Sequence, residues 1–266
     1  MLRSYLILNL RSWNDLPVVE RWLLKDHATE IISQLDPILE RYCSYRAVPH
    51  PDGAEVYAPY NWRMTEHWWR ELPYAGGNLM DQKTLLTETW PKDYTGMLGL
   101  PTGEARSYKW GGKPGGPHPP IFAFCPARPT EDFLGKGRTL HDGHNLRWIQ
   151  AIRYPEGVSE ADGEEWFLKV HAPEVCRQPT LKRFVSYKTV EPRTSPFVRI
   201  NELWYENHDG WMESILKSPP TYTAPKWASF DRYPFLQPWT DFVSQFLLEA
   251  PTDDFKRYLR PYVTTA

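Results

Sequence analysis

The chain has 266 residues, 41% of them hydrophobic, with 31 basic and 33 acidic side chains and a formal net charge of -2. That balance excludes a disordered chain, and it leaves no broad electrostatic footprint for nucleic acid or for an anionic membrane. Cys43, Cys125 and Cys176 are widely spaced and odd in number, so they predict neither a disulfide framework nor a zinc site; a reducing cytoplasm is the expected setting.

The apolar run Tyr5 to Leu10 is too short to span a membrane and is followed by no small-residue cleavage site, so it is read as a strand. Aromatic residues make up 15% of the chain, with 13 Trp and 15 Tyr, beside 26 Pro. Such side chains suit a core, an interface or a pocket for a flat ligand.

Self-similarity is the strongest signal. Glu20, Trp22, Lys25, His27 and Glu30 match Glu164, Trp166, Lys169, His171 and Glu174, and Ser44, Tyr45 and Val48 match Ser186, Tyr187 and Val190. Arg63, Glu66 and Trp68 match Arg199, Glu202 and Trp204, and Pro129, Asp132 and Phe133 match Pro251, Asp254 and Phe255. The offset falls from 144 through 142 and 136 to 122, so the first copy carries the insertions, which belong in loops. The first copy is expected over residues 3–137 with a Gly/Pro-rich insertion at about 75–120, and the second over 146–266. That insertion contains no phosphate-loop spacing, and a lid over a cavity is one reading of it.

In chain order, each copy opens with a strand, at Leu6 to Leu10 and Ile149 to Tyr154, followed by a helix bearing the Trp and the His. Further strands are expected at Arg41 to Val48 and Trp62 to Trp69, then at Arg183 to Val190 and Val198 to Tyr205. A second helix is expected near Asp81 to Thr89 and Gly210 to Leu216, and a last strand near Ile121 to Cys125 and Asp241 to Leu248. Strand, helix, strand, strand, helix, strand is the split βαβ order, so the predicted class is α+β, with two ferredoxin-like βαββαβ repeats forming an α/β barrel within one chain. Each sheet would have one face bare of helices, and two copies can bury those faces against each other.

Leu23, His27 and Ile31 share one helical stripe, as do Phe167, His171 and Val175, so each His is expected to face the sheet. A buried imidazole is either a satisfied core residue or a base. On the third strand, alternation places Glu66 with Trp68, and Glu202 with Trp204, on the face opposite Arg63 or Arg199. A carboxyl beside a Trp is either part of an ion pair or an acid in an apolar pocket. His141, Asp142 and His144 lie in the connector, where an Asp-Gly turn explains them better than a metal. The sequence contains no serine nucleophile elbow, dinucleotide fingerprint or HExxH.

With Trp166, His171, Ala172 and Pro173, then Ser186 and Tyr187, then Glu202, Trp204 and Tyr205 followed by Ser218 and Pro219, the second copy resembles the EthD-like family of the dimeric α/β barrel superfamily. The first copy resembles it more weakly, with Asp26, His27, Ala28 and Thr29 at the matching place. The resemblance implies an enzyme of aromatic or polyketide-like metabolism, and relatives in the superfamily include cofactor-independent lyases, isomerases and monooxygenases as well as haem enzymes.

The expectation is a cofactor-free lyase acting on a hydrophobic aromatic small molecule. His171 would be the base, Tyr187 the donor, Glu202 an orienting or acid group, and Trp166 and Trp204 the walls. His27, Tyr45, Glu66, Trp22 and Trp68 are the equivalents in copy one, and the closer family match favours copy two. The alternatives are a haem enzyme with a helix His as axial ligand, and a small-molecule binding protein. No nucleic-acid or membrane partner is expected, and a homodimer is left open.

Overall fold

The computed structural model describes residues 2–10, 12–36, 38–70, 121–126, 130–139, 141–190, 196–248 and 253–257; the insertion at about 75–120 and the helix near 81–89 lie outside them. The strands are β1 Leu2–Leu8, β2 Leu39–Arg46, β3 Arg63–Trp69, β4 Ile121–Pro126, β5 Glu131–Leu134, β6 Leu146–Ile152, β7 Arg183–Lys188, β8 Arg199–Tyr205 and β9 Phe242–Leu247. They form two antiparallel sheets, ordered β2-β3-β1-β4 and β5-β7-β8-β6-β9. The second repeats the order of the first and adds β5 at one edge.

Between β1 and β2 a helix runs through Leu16–Arg21, a π-helical turn Trp22–His27 and Ala28–Leu35. Between β6 and β7 the matching helix runs through Glu160–Trp166, a π-helical turn Phe167–His171 and Ala172–Val175. Pro17 occupies the first turn of the former, where its missing N–H has no intrahelical role. Ser159 caps the latter by accepting from the Asp162 amide. A third helix, His208–Met212 with a π-helical turn Glu213–Lys217, follows β8. The expected strands all form, the first pair beginning three or four residues earlier than expected, because Arg3 and Arg147 lie within the strands.

The helices are pinned to their sheets by a repeated ion pair. Arg63 on β3 donates to both oxygens of Glu20 at 2.9 Å, and Arg199 on β8 donates to both oxygens of Glu164 at 2.7 Å. Burial opposes ionisation of these carboxyls, yet the facing guanidinium holds both below the usual carboxylate range. These arginines face the helices, so the expected alternation along both strands holds.

The helix-free faces pack against each other. Tyr5, Ile7, Met64 and Tyr45 from the first sheet meet Ile149, Val185, Ile200 and Val243 from the second. Burying each such aliphatic side chain is worth about 1.5–3 kcal/mol, an upper range because unfolded chains already hide some surface. One seam is closed by hydrogen bonds from Val48 N to Phe246 O at 2.9 Å and from Tyr60 N to Ser244 O at 2.8 Å. The segment after each fourth strand crosses over. β5 pairs with β7 of the second sheet, while Asp254 bridges to Cys43 and Phe255 N donates to Tyr42 O in the first.

Inside that interface lie two buried arginine–carboxylate pairs related by the internal symmetry. Arg3 is 3.1 Å from Glu66, and Arg147 donates to Glu202 at 2.6 Å. Each guanidinium also lies over a tyrosine of the other half, Arg3 over Tyr187 at 4.9 Å and Arg147 over Tyr45 at 4.6 Å. Removing one partner of a buried pair costs roughly 3–5 kcal/mol because the other charge stays uncompensated. Arg147→Leu is therefore expected to lower the unfolding free energy by about that much in urea titration. The double variant Arg147→Leu/Glu202→Leu should recover part of the loss.

Candidate active site

The residues singled out by sequence fall on two sides of each sheet. Tyr45, Glu66 and Trp68, and their counterparts Tyr187, Glu202 and Trp204, face the inter-sheet interface. Tyr45 donates to Glu66 at 2.9 Å, Trp204 Nε1 donates to Glu202 at 2.7 Å, and Arg3 donates to the Tyr187 hydroxyl at 2.7 Å. Both carboxylates, 2% and 5% exposed, are thus engaged within the fold. His27 with Trp22 and His171 with Trp166 lie on the opposite, helix-covered faces. The expected trio of His171, Tyr187 and Glu202 is therefore split by the sheet, as is its equivalent in the first copy, because successive strand residues point to opposite faces.

The two helix and sheet layers differ in what surrounds the histidine. In the second layer His171, 3% exposed, stacks parallel on Tyr233 at 5.5 Å and lies beside Phe167 at 5.4 Å and Trp166 at 4.7 Å. One continuous apolar core surrounds it, including Trp148, Phe184, Leu203, Trp211 and Phe246. In the first layer the apolar core falls into two groups. Ala28, Ile31, Leu39, Tyr42 and Trp69 form one, and Leu8, Val19, Trp22, Leu23 and Trp62 the other.

Polar side chains share that face of the first sheet. His67 on β3 stands in register between Ser4 on β1 and Tyr42 on β2. The matching row of the second sheet is Leu203 between Trp148 and Phe184. Ser4 Oγ is 3.3 Å from His67 Nδ1 and accepts from Trp69 Nε1 at 3.0 Å, and the Tyr42 and His67 rings are 4.7 Å apart. His27, half-buried, stacks on Trp22 at 4.4 Å.

Among the described residues two buried polar atoms of this seam have no hydrogen-bond partner, His27 Nδ1 and the hydroxyl of the fully buried Tyr42; in the second layer the indole nitrogens of Trp148 and Trp211 are likewise unpaired. Such an atom costs roughly 1–3 kcal/mol in either layer; the layers differ in kind, because the first leaves an imidazole and a phenol unpaired, groups able to exchange protons, and the apolar core of the second only indole donors. π-helical turns such as Trp22–His27 recur at functional sites. Among the described residues no group of three or more metal-ligating side chains gathers here or elsewhere, and no helix is long and apolar enough to cross a membrane. The connector around His141 is a turn in which Asp142 accepts from the Thr139 hydroxyl at 2.9 Å.

Burial depresses His27, His67 and His171 to about 3, with the neighbouring His67 adding to the effect at His27. All three rings are therefore neutral at pH 7, the form that can accept a proton. His67, Tyr42 and Ser4 were not among the sequence candidates, although aligning the two copies sets His67 over Leu203, Tyr42 over Phe184 and Ser4 over Trp148.

Residues 1–103 match the family model described as Chalcone isomerase N-terminal domain, which is less than half of the chain. No curated protein matches the sequence. Among solved structures, the chain is similar to chlorite dismutase from Candidatus Nitrospira defluvii in complex with imidazole, at 9% identity and a TM-score of 0.42, covering 93% of this chain and 91% of that one. It is also similar to an anthrone oxidase-like protein, at 9% identity and a TM-score of 0.46, covering 92% and 90%. At that level neither likeness bears on what this chain does.

The depressed histidines fix a pH dependence. Between about 3 and the ordinary value of 6.5 the unfolded chain binds protons that the folded chain does not, so stability is complete above pH 6.5 and falls as pH drops towards 3. The buried pair His67 and His171 should each contribute on the order of 1 kcal/mol per pH unit over that range. Urea midpoints measured from pH 7.5 to 4.5 should show a slope that His171→Phe reduces.

Proposed function

We propose that the protein is a cofactor-independent enzyme performing a lyase-type reaction, a dehydration, decarboxylation or C–C or C–O elimination, on a hydrophobic aromatic or polyketide-like molecule. The active centre in this reading is the polar seam of the first helix and sheet layer. What carries it is the contrast between His67, Tyr42 and Ser4 in the first sheet and Leu203, Phe184 and Trp148 at the matching places in the second. On this reading the halves descend from one ferredoxin-like, EthD-like unit, and the second copy kept its histidine but filled the space around it. The match of residues 1–103 to an isomerase domain model falls on the half that holds the seam.

His27 is the general base. Its neutral imidazole takes a proton from the carbon next to a substrate carbonyl, leaving an enolate whose oxygen meets the Tyr42 hydroxyl and the His67 ring. Collapse of the enolate expels the group on the adjacent carbon, and that group leaves with the proton held by His27. The products are an unsaturated carbonyl compound and the protonated leaving group, with no oxidant or reductant consumed. A base depressed to about 3 by burial has little driving force on its own, so the developing enolate must raise it during the reaction. Trp22 and Trp69 supply flat apolar walls that exclude water.

A haem is the weaker reading. A ligating histidine normally donates its second ring N–H to a carbonyl or carboxylate, and His27 Nδ1 has no such acceptor among the described residues. The rings packed against His171 also leave it enclosed. We place the protein in a reducing cytoplasm, with Cys43 and Cys176 as free thiols. The outer face gives little support for a homodimer, because Trp13 is the one Trp among the described residues that is largely exposed.

The test is a screen of oxygenated aromatic substrates followed by His27→Ala and His171→Ala in parallel. His27→Ala should lose about 100-fold or more in turnover while still binding ligand, as expected for removal of a general base. His171→Ala should keep turnover within a few-fold. Equal loss in both variants would move the centre away from the first layer, and ligand binding without turnover in the wild type would favour a binding protein.

A further inference from the structure

Resting on the reading of the first layer as the active centre, we infer that Ser4 is a positioning residue that holds His67 as the Nε2–H tautomer, so that His67 meets the ligand as a hydrogen-bond donor to an acceptor-only oxygen, such as a carbonyl or enolate. An indole N–H can only donate, so Trp69 Nε1, at 3.0 Å, occupies an acceptor position on Ser4 Oγ. The remaining Ser4 hydrogen needs an acceptor, because Ser4 is fully buried. The acceptor the structure offers is His67 Nδ1 at 3.3 Å. Were Nδ1 protonated instead, Ser4 would accept twice and its own hydrogen would be buried with no partner.

The proton of the neutral ring is thereby placed on Nε2, which makes no hydrogen bond among the described residues and is not among the sealed, partnerless atoms. His67 is therefore not a second base beside His27. The two histidines divide the work: one accepts a proton and the other stabilises the oxygen on which charge gathers. The second half lacks the device, since Trp148 and Leu203 stand where Ser4 and His67 do.

The experiment is a two-bond proton–nitrogen correlation spectrum of the full chain labelled with nitrogen-15 in its histidines, recorded near pH 7, with the His67 signals assigned by loss in His67→Gln. The wild type should show a pyridine-type Nδ1 and a pyrrole-type Nε2. Ser4→Ala should move both nitrogens towards the averaged positions of a tautomer mixture, and Ser4→Thr, which keeps the hydroxyl, should restore the wild-type pattern. A pyrrole-type Nδ1 in the wild type overturns the inference, and so does a pattern that Ser4→Ala leaves unchanged. If Ser4→Ala fails to fold, the wild-type spectrum still decides. A wrong tautomer removes the donor role while leaving the loss of turnover in His27→Ala intact, whereas an active His27→Ala removes the active centre and leaves the tautomer standing.

Discussion

Everything in this fold depends on how two helix-free sheet faces bury four charged side chains between them. Arg3 with Glu66 and Arg147 with Glu202 would be costly inside an apolar interface unless each charge were met. Each arginine is met twice, by a carboxylate of its own sheet and by the ring of a tyrosine from the other. The rings of Tyr187 and Tyr45 tie each half to the other, so neither sheet completes its charged pair environment alone. The crossing of β5 onto the second sheet, and of Asp254 and Phe255 onto the first, has the same effect at the edges.

With the interface committed to holding the halves together, the chemistry proposed here falls in the outer layers, between each sheet and its helix. There the halves share a skeleton and differ in filling. Arg63 with Glu20 and Arg199 with Glu164 dock the helices alike, and the same π-helical turn presents His27 and His171. The second layer spends its space on close-packed rings around His171. The first interrupts its apolar core with His67, Tyr42 and Ser4, so that among the described residues the unpaired groups there are an imidazole and a phenol, where the apolar core of the second layer leaves only the indole nitrogens of Trp148 and Trp211. On the proposed reading, stability and function are divided between the two halves.

Much of this was legible in the sequence. The four anchor matches placed eight of the nine described strands, because core positions keep their residue types while loops absorb insertions; β5, Glu131–Leu134, was not expected as a strand. Alternation along β3 and β8 correctly separated Arg63 and Arg199 from Glu66 and Glu202. What failed was the step from shared alternation to a shared site. His171 projects from a helix and Tyr187 from a strand, and only the side of the sheet that the helix covers decides whether they meet. The stronger family resemblance of the second copy also pointed away from His67. The useful signal was the reverse one, a polar residue in one copy facing an apolar one in the other.

On the proposed reading the first layer keeps polar groups that folding does not use. Urea unfolding of Tyr42→Phe tests it most directly, because the change removes one buried oxygen and little else. An unpaired buried hydroxyl predicts a variant as stable as the wild type or more stable, by about 1 kcal/mol. A loss of 1 kcal/mol or more would mean that the hydroxyl is satisfied in the native protein, and the seam would then be an ordinary part of the core.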